Sequence, residues 1–196
     1  MIMGLSAQRG PRTIRPGGKV MTRTVGASAA LILAGCVSVG IPTDPDAFSV
    51  EIKAVAHLRP AQAVALINGY DSEAKEELKV HPWVTWVFDV RRLTDTAITM
   101  LRRPLEKHAI TLDAQAGKTI TLRVHGMRGH VVTLPPYAHT VAHLRLDAQF
   151  GDGTRAVIDA TNGAPMANHQ RAFDGALLFA LNKLLIDEQF VAYMNR

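Results

Sequence analysis

The chain has 196 residues, 47% of them hydrophobic and 20% charged, which is sufficient for one domain with a hydrophobic core. Its formal net charge is +5, but five basic and no acidic residues precede Cys36, so the rest of the chain carries 17 of each sign. A domain without net charge argues against nucleic-acid binding, which needs a basic surface.

The first 35 residues have the pattern of an export signal. Five basic residues come first, and residues 25–33 then form an uncharged, apolar run. This run is too short to cross a bilayer, which needs about 20 residues, but it fits the core of a secretory signal. Translation from Met21 gives a compact signal, and translation from Met1 gives a long basic head.

The sequence from Leu33 to Cys36, Leu-Ala-Gly-Cys, resembles the bacterial lipobox. The resemblance implies cleavage after Gly35, acylation of the Cys36 thiol and of the new amino terminus, and a mature protein that begins at Cys36. Two or more acyl chains, at about 0.8 kcal/mol per buried methylene, hold a protein on a membrane stably. Val37 stands where enterobacterial lipoproteins retained in the inner membrane have aspartate, which favours the outer membrane, facing the periplasm. The alternative is a buried cysteine in a core helix.

Residues 36–47 are polar and contain two prolines, which predicts a tether, and residues 48–196 are predicted to form a single α+β domain. Residues 48–56 alternate in the manner of a strand. Residues 63–67 are an apolar run that ends at an Asn-Gly turn signal. The acidic residues 71–78 are predicted to form a solvated loop or a helical turn.

Residues 83–90 are rich in β-branched and aromatic side chains, which predicts another strand. Thr94 is the predicted cap of a helix that extends to Ala109, and Pro104 predicts a bend or two helical pieces.

Alternating residues predict a strand at 118–124 and a longer one at 140–150. A Gly-Asp-Gly turn at 151–153 then leads into residues 155–160, which predicts an antiparallel hairpin. The last predicted element is a helix over residues 168–194, with Asn168 as its cap. Together these elements predict an α+β fold: an antiparallel sheet of four to five strands with two main helices packed on one face.

The chain resembles the YajG-type family of small bacterial outer-membrane lipoproteins over Cys36 and residues 89–193. The resemblance rests on LAGC, the helix LTDTAITMLRRPLEKHAI, the strand KTITLRV, the hairpin LRLDAQFGDGTRAVIDA and the helix AFDGALLFALNKLL. It implies no established enzyme activity and no catalytic residues.

The remaining residues contain no catalytic motif: GxSxG is absent, and neither GDGT nor AGKT has the spacing of a phosphate loop. We therefore predict no enzyme activity, no cofactor and no metal. Four histidines are weak metal candidates: His125, His130, His139 and His143. Positions 139 and 143 share one strand face, but four residues span about 13 Å, which is too far for one ion.

The sequence predicts a non-enzymatic, lipid-anchored lipoprotein whose partners are membrane lipid, through acylated Cys36, and an unknown envelope protein, but no nucleic acid. The alternative is an accessory lipoprotein that binds or transports lipid or lipopolysaccharide, which an apolar cavity between the final helix and the sheet would favour. A metal-dependent enzyme is a remote third option.

Overall fold

A computed structural model describes residues 37–40, 55–81, 84–134, 137–165 and 169–196. The predicted signal peptide, its cleavage position Gly35, the lipidation residue Cys36, most of the tether, Trp83 and the cap Asn168 lie outside the described residues. Of the predicted strand at 48–56, only Val55 and Ala56 are described, and they form a turn rather than a strand.

The described residues form seven strands and three helices. In chain order these are β1 (Val37–Gly40), β2 (Val64–Asn68), β3 (Lys75–His81), β4 (Val84–Asp89), α1 (Val90–Lys107), β5 (Lys118–Leu134), β6 (Tyr137–Phe150), β7 (Arg155–Pro165), α2 (His169–Leu185) and α3 (Glu188–Met194). The strands make a three-stranded sheet, β1-β4-β3, and a four-stranded sheet, β2-β5-β6-β7. Residues 37–40, which belong to the predicted tether, therefore pair with the domain through β4.

The predicted α+β fold is confirmed, with a mostly antiparallel four-stranded sheet. Strands β5, β6 and β7 form an antiparallel meander, and the short β2 pairs in parallel with β5. On the long strands, most alternate side chains are apolar and are buried on the side of α1 and α2. The sheet therefore has one covered face, which carries the core, and one face without a helix.

The core lies between the covered face and the helices. The α2 side chains Phe173, Leu177 and Leu181 have no exposed surface, and neither has Leu146 of β6 opposite them. This agrees with the prediction that the final apolar helix packs across the sheet. Residues 172–177 of α2 are all buried, because the helix also packs on the three-stranded sheet, where Phe173 contacts Trp86 and Phe88.

The structure corrects two predictions in the first half of the domain. The acidic segment is not a loop throughout, because Lys75–His81 form β3 at the edge of the three-stranded sheet, where charged side chains face water. Helix α1 begins at Val90 instead of after Thr94, because the Asp89 side chain accepts a hydrogen bond from the Arg92 amide and caps the first turn.

Two further corrections concern helix continuity. Pro104 does not divide α1 into two pieces; it lies buried in the last turn, so the missing hydrogen bond falls close to the helix end at Lys107. The predicted final helix is two helices, because Asp187 accepts hydrogen bonds from the amides of Gln189 and Phe190 and starts α3 as a separate element.

Candidate functional site: the uncovered sheet face

The face of β5, β6 and β7 that points away from α1 and α2 is the candidate functional site, and we call it the uncovered face. Its polar side chains alternate along each strand with the buried apolar ones. They are Thr119, Thr121, Arg123, His125, Arg128 and His130 on β5; His139, His143, Arg145, Asp147 and Gln149 on β6; and Arg155, Asp159 and Thr161 on β7. With neutral histidines, four arginines and two aspartates give this set an excess of positive charge.

One ion pair crosses from β6 to β7 at the middle of this face. The Arg145 guanidinium donates two hydrogen bonds to the Asp159 carboxylate, from Nε to Oδ1 at 2.9 Å and from Nη2 to Oδ2 at 3.2 Å. These bonds hold the pKa of Asp159 below its usual value and raise that of Arg145. The pair stands in solvent, with the two side chains 48% and 69% exposed, so it fixes geometry more than it stabilises the fold.

A second, less exposed cluster surrounds Asp147. Its Oδ2 accepts a short hydrogen bond from Arg155 Nη2 and lies 3.0 Å from His125 Nε2. Its Oδ1 is buried and has no hydrogen-bond partner among the described residues. Only 13% of the Asp147 side chain is exposed. This carboxylate therefore pairs with Arg155 and also lies beside the His125 ring.

The structure brings two of the four metal candidates together. The rings of His130 and His143 stack with their centroids 5.5 Å apart, and His143 Nδ1 lies 2.8 Å from the Thr161 hydroxyl. His125 lies instead beside Asp147, across a bulge in β5, and His139 is opposite Val132. Within the described part of the chain, no three His, Cys, Asp or Glu side chains come close enough to hold a metal ion.

Two polar clefts open beside the Asp147 cluster. One, of about 200 Å³, is lined by Thr121, Arg123, Asp147, Gln149, Gly153 and Arg155. The other, of about 510 Å³, lies between the loop at 69–74 and the same Arg123 and Asp147 side chains. Arg123 lines both clefts and is held by a hydrogen bond from its Nε to the Gly69 carbonyl at 2.8 Å. Both clefts suit charged or polar groups of a binding partner.

The sequence did not reveal the side chains that bind the backbone of β5 beyond the point where β2 ends. The Tyr70 hydroxyl donates to the Val124 carbonyl, and the Thr94 hydroxyl accepts from the Val124 amide. Burial raises the pKa of Tyr70, which keeps it a donor. Beyond Val124, the Glu76 carboxylate accepts from the amides of Gly126 and Met127. Gly126, in the left-handed region at φ 65°, is the sequence signal for this bulge.

Among the described residues, no helix combines the length and apolar content that crossing a membrane requires.

The chain matches no family model and no curated protein. Among solved structures, it is similar to a Xanthomonas campestris protein described under the family model DUF330, with 12% identity and a TM-score of 0.47, over 80% of this chain and 95% of that one. It is also similar to a minor lipoprotein from Acinetobacter baumannii, with 13% identity and a TM-score of 0.37, over 68% of this chain and 91% of that one. Neither is described as a YajG-type protein.

Proposed function

We propose that this protein is a lipoprotein of the bacterial outer membrane, anchored by acylated Cys36 and facing the periplasm, that binds another envelope protein through its uncovered face. The export pattern and the lipobox-like sequence before Cys36 support the anchor. The uncovered face supports the binding role, and it is the observation that carries the proposal. In this role the domain performs no catalysis.

The uncovered face has the features of a protein-binding surface. Its three strands are fixed by long antiparallel ladders, so side chains such as Arg145 and Gln149 are presented from a rigid base. Arginines are common at interfaces, since they combine a planar charged group with an apolar stem. Val157 is 47% exposed among these polar side chains and offers an apolar contact. The clefts beside Asp147 are polar, which suits side chains of a partner better than an apolar small molecule.

Site-specific photocrosslinking in whole envelopes tests the binding role. A photoreactive residue at Val157, on the uncovered face, should capture a defined partner that mass spectrometry identifies. The matched control is Phe179, which is 54% exposed on α2. Equal capture from both positions, or none from either, would contradict binding through the uncovered face.

Charge reversal at the same face tests specificity. Arg145→Glu should reduce capture from Val157, because it removes the cation and places a second carboxylate beside Asp159. Arg102→Glu, on the exposed side of α1, reverses the same charge at the other side of the sheet and should leave capture unchanged. The exchange Arg145→Asp with Asp159→Arg retains a pair but moves the cation, so a loss of capture in that variant assigns the effect to recognition.

The anchor is tested separately. Cys36→Ser should release the protein from the membrane fraction, and density separation of wild-type membranes should place it with the outer membrane. Continued membrane attachment of Cys36→Ser would exclude acylation of this cysteine as the anchor.

The alternative role in binding lipid or lipopolysaccharide needs an apolar cavity between α2 and the sheet. In the described residues, this space is filled by side chains without exposed surface, including Phe173 and Leu181. The two clefts described above lie on the opposite side of the sheet and are polar. We therefore propose the protein-binding role ahead of the lipid-binding one.

A further inference from the structure

Strand β1 begins one residue after Cys36. Its first residue, Val37, is paired with Val84, and the two strands run in parallel. A single residue spans at most about 3.6 Å. A lipid anchor at Cys36 therefore leaves almost no slack between the membrane surface and the beginning of β4.

Strands β3 and β5 end on the same side of the domain as Val37. His81, at the end of β3, is paired with Val84. Strand β3 lies along β5 in the same direction, because its Glu76 binds the amides at Gly126 and Met127, and its later residue Leu78 lies against Gly129. The last part of β5 therefore extends toward the beginning of β4.

Two more elements meet at this end. In the β5–β6 hairpin, Thr133 is opposite Ala138, and Pro165 at the end of β7 is opposite His139. Helix α2 begins there, since His169 lies 2.6 Å from the Thr140 hydroxyl and its ring contacts Trp86. We call this the anchor end; its described residues are 37–40, 77–81, 84–87, 128–134, 137–143, 161–165 and 169–173.

The anchor end contains one carboxylate among its described residues, Glu77, which is exposed and is in register with Gly40 through Val87. It contains three permanent cations, Lys79, Arg128 and Arg171, all on exposed residues. The opposite end, where β5 begins and β6 turns into β7, carries Asp113 and Asp152 together with the cations Lys118, Arg155 and Arg196, and Arg196 is paired with Asp152. The three cations of the anchor end outnumber its one carboxylate.

We propose that the anchor end docks on the headgroups of anionic phospholipids in the leaflet that holds the acyl chains of Cys36. The inference rests on the lipid anchor of the proposed function and adds an orientation to it. Basic residues close to an anionic membrane are attracted to it, and the anchor end has more basic residues than carboxylates. The strands then stand away from the membrane, so the uncovered face is presented to a partner from the side.

The orientation is measured with a fluorescent label at one end of the domain. In the mature protein Cys36 is blocked by acylation, and the chain has no other cysteine, so an introduced cysteine is the only free thiol. Thr133→Cys reports on the anchor end, with Lys79→Cys as a second position on β3. Gln115→Cys, just before β5 begins, is the matched control at the opposite end.

The acylated protein is reconstituted into vesicles of phosphatidylethanolamine and phosphatidylglycerol that contain a lipid with a spin label in its headgroup region. Quenching at positions 133 and 79 should exceed quenching at position 115 several-fold. Equal quenching at both ends, or stronger quenching at position 115, would overturn the proposed orientation.

Charge reversal separates lipid docking from tethering alone. Lys79→Glu with Arg128→Glu should remove most of the difference in quenching between positions 133 and 115, and so should vesicles without phosphatidylglycerol. Arg92→Glu with Lys107→Glu, two exposed residues of α1 away from the anchor end, should leave it unchanged. If both double variants behave like the wild type, the headgroup contact is refuted.

Mass spectrometry of the purified protein before reconstitution distinguishes this inference from the function on which it rests. An unacylated Cys36 would overturn both the anchor and the orientation. An acylated Cys36 with equal quenching at both ends would overturn the orientation alone.

Discussion

The two faces of the long strands share one backbone and have opposite chemistry. On the covered face, Leu122 and Leu146 have no exposed surface. On the uncovered face, their neighbours along the chain include Arg123 and Arg145, which are exposed. Because strand side chains alternate, a substitution at one position changes the core and a substitution at the next changes the surface. Stability and the proposed recognition of a partner are thus assigned to adjacent residues and are separable by mutation.

The largest expected effect comes from the covered face. Leu146→Ala should lower the free energy of unfolding by about 2–5 kcal/mol, since it leaves a cavity between the sheet and α2. The matched control is Val157→Thr on the uncovered face, which keeps a β-branched side chain in solvent and should change it by less than about 0.5 kcal/mol. Urea denaturation of both variants measures the difference. Similar losses in the two would contradict the division between the faces.

The second-largest effect is expected at Thr94, whose side chain binds the backbone at the edge of β5. Thr94 is fully buried, and its hydroxyl donates to the Val90 carbonyl and accepts from the Val124 amide. Thr94→Val leaves that amide without a partner and should cost about 1–3 kcal/mol.

Thr99→Val provides the matched control within the same helix. Its hydroxyl also donates to the carbonyl four residues earlier, but it is exposed and completes no strand. Its effect on the urea midpoint should be small. Equal losses at positions 94 and 99 would show that the contact with β5 adds nothing.

Much of the large sheet could be predicted because its signal is local. The strands at 118–124 and 140–150 alternate without interruption, and the Gly-Asp-Gly turn marks the hairpin. The second half of β5 could not be predicted in the same way, because Gly126 and Gly129 interrupt the alternation. Its pairing depends on the bulge and on Glu76, fifty residues earlier in the chain.

The helix boundaries depended on competition between possible caps. Thr94 and Asp89 are both suitable cap residues, but only Asp89 lies at the end of β4, where the chain leaves the sheet. Thr94 therefore lies inside α1, buried against β5. Similarly, Asp187 divides the final helix although the apolar spacing continues past it, because a cap with two amide partners begins a new helix.

The residue types on the uncovered face could be predicted from the sequence, but the contacts among them could not. The alternation placed His139 and His143 on one face, as observed. The stacking of His130 on His143 requires the register of β5 after its bulge. The cluster around Asp147 requires β7 to bring Arg155 alongside, and a pairing between separate strands is not encoded in local spacing.

A third, smaller effect lies within the uncovered face itself. Asp147→Asn removes the counter-ion of Arg155 and should lower the free energy of unfolding by about 1 kcal/mol, and by less in molar salt. Asp159→Asn should have the smaller effect, because the Asp159 side chain is 69% exposed and that of Asp147 only 13%. Urea denaturation at low and high salt measures both. A larger loss for Asp159→Asn would contradict the view that Asp147 is the central carboxylate.

The smallest expected effect concerns the turn that joins β6 to β7, and it depends on pH. The Thr154 hydroxyl and amide both donate to Asp152 Oδ1, at 2.6 Å and 3.0 Å, and these bonds hold the pKa of Asp152 below its usual value. Arg196 adds an ion pair at 2.7 Å. A carboxyl group whose pKa is lowered by folding stabilises the native state above its unfolded pKa, and this contribution is lost as the pH falls through the folded value.

Asp152→Asn should therefore lower the urea midpoint slightly at neutral pH, and the difference from wild type should shrink as the pH falls below about 4. Asp71→Asn, on an exposed residue of the loop before β3, is the matched control for the loss of a surface carboxylate and should leave the urea midpoint nearly unchanged at neutral pH. A difference that persists unchanged in acid would mean that the charge of the Asp152 carboxylate does not stabilise the turn. Only the shape of the Asp152 side chain would then matter. Because this turn lies at the end of the domain opposite Val37, the same variant should leave the quenching of a label at position 133 unaltered.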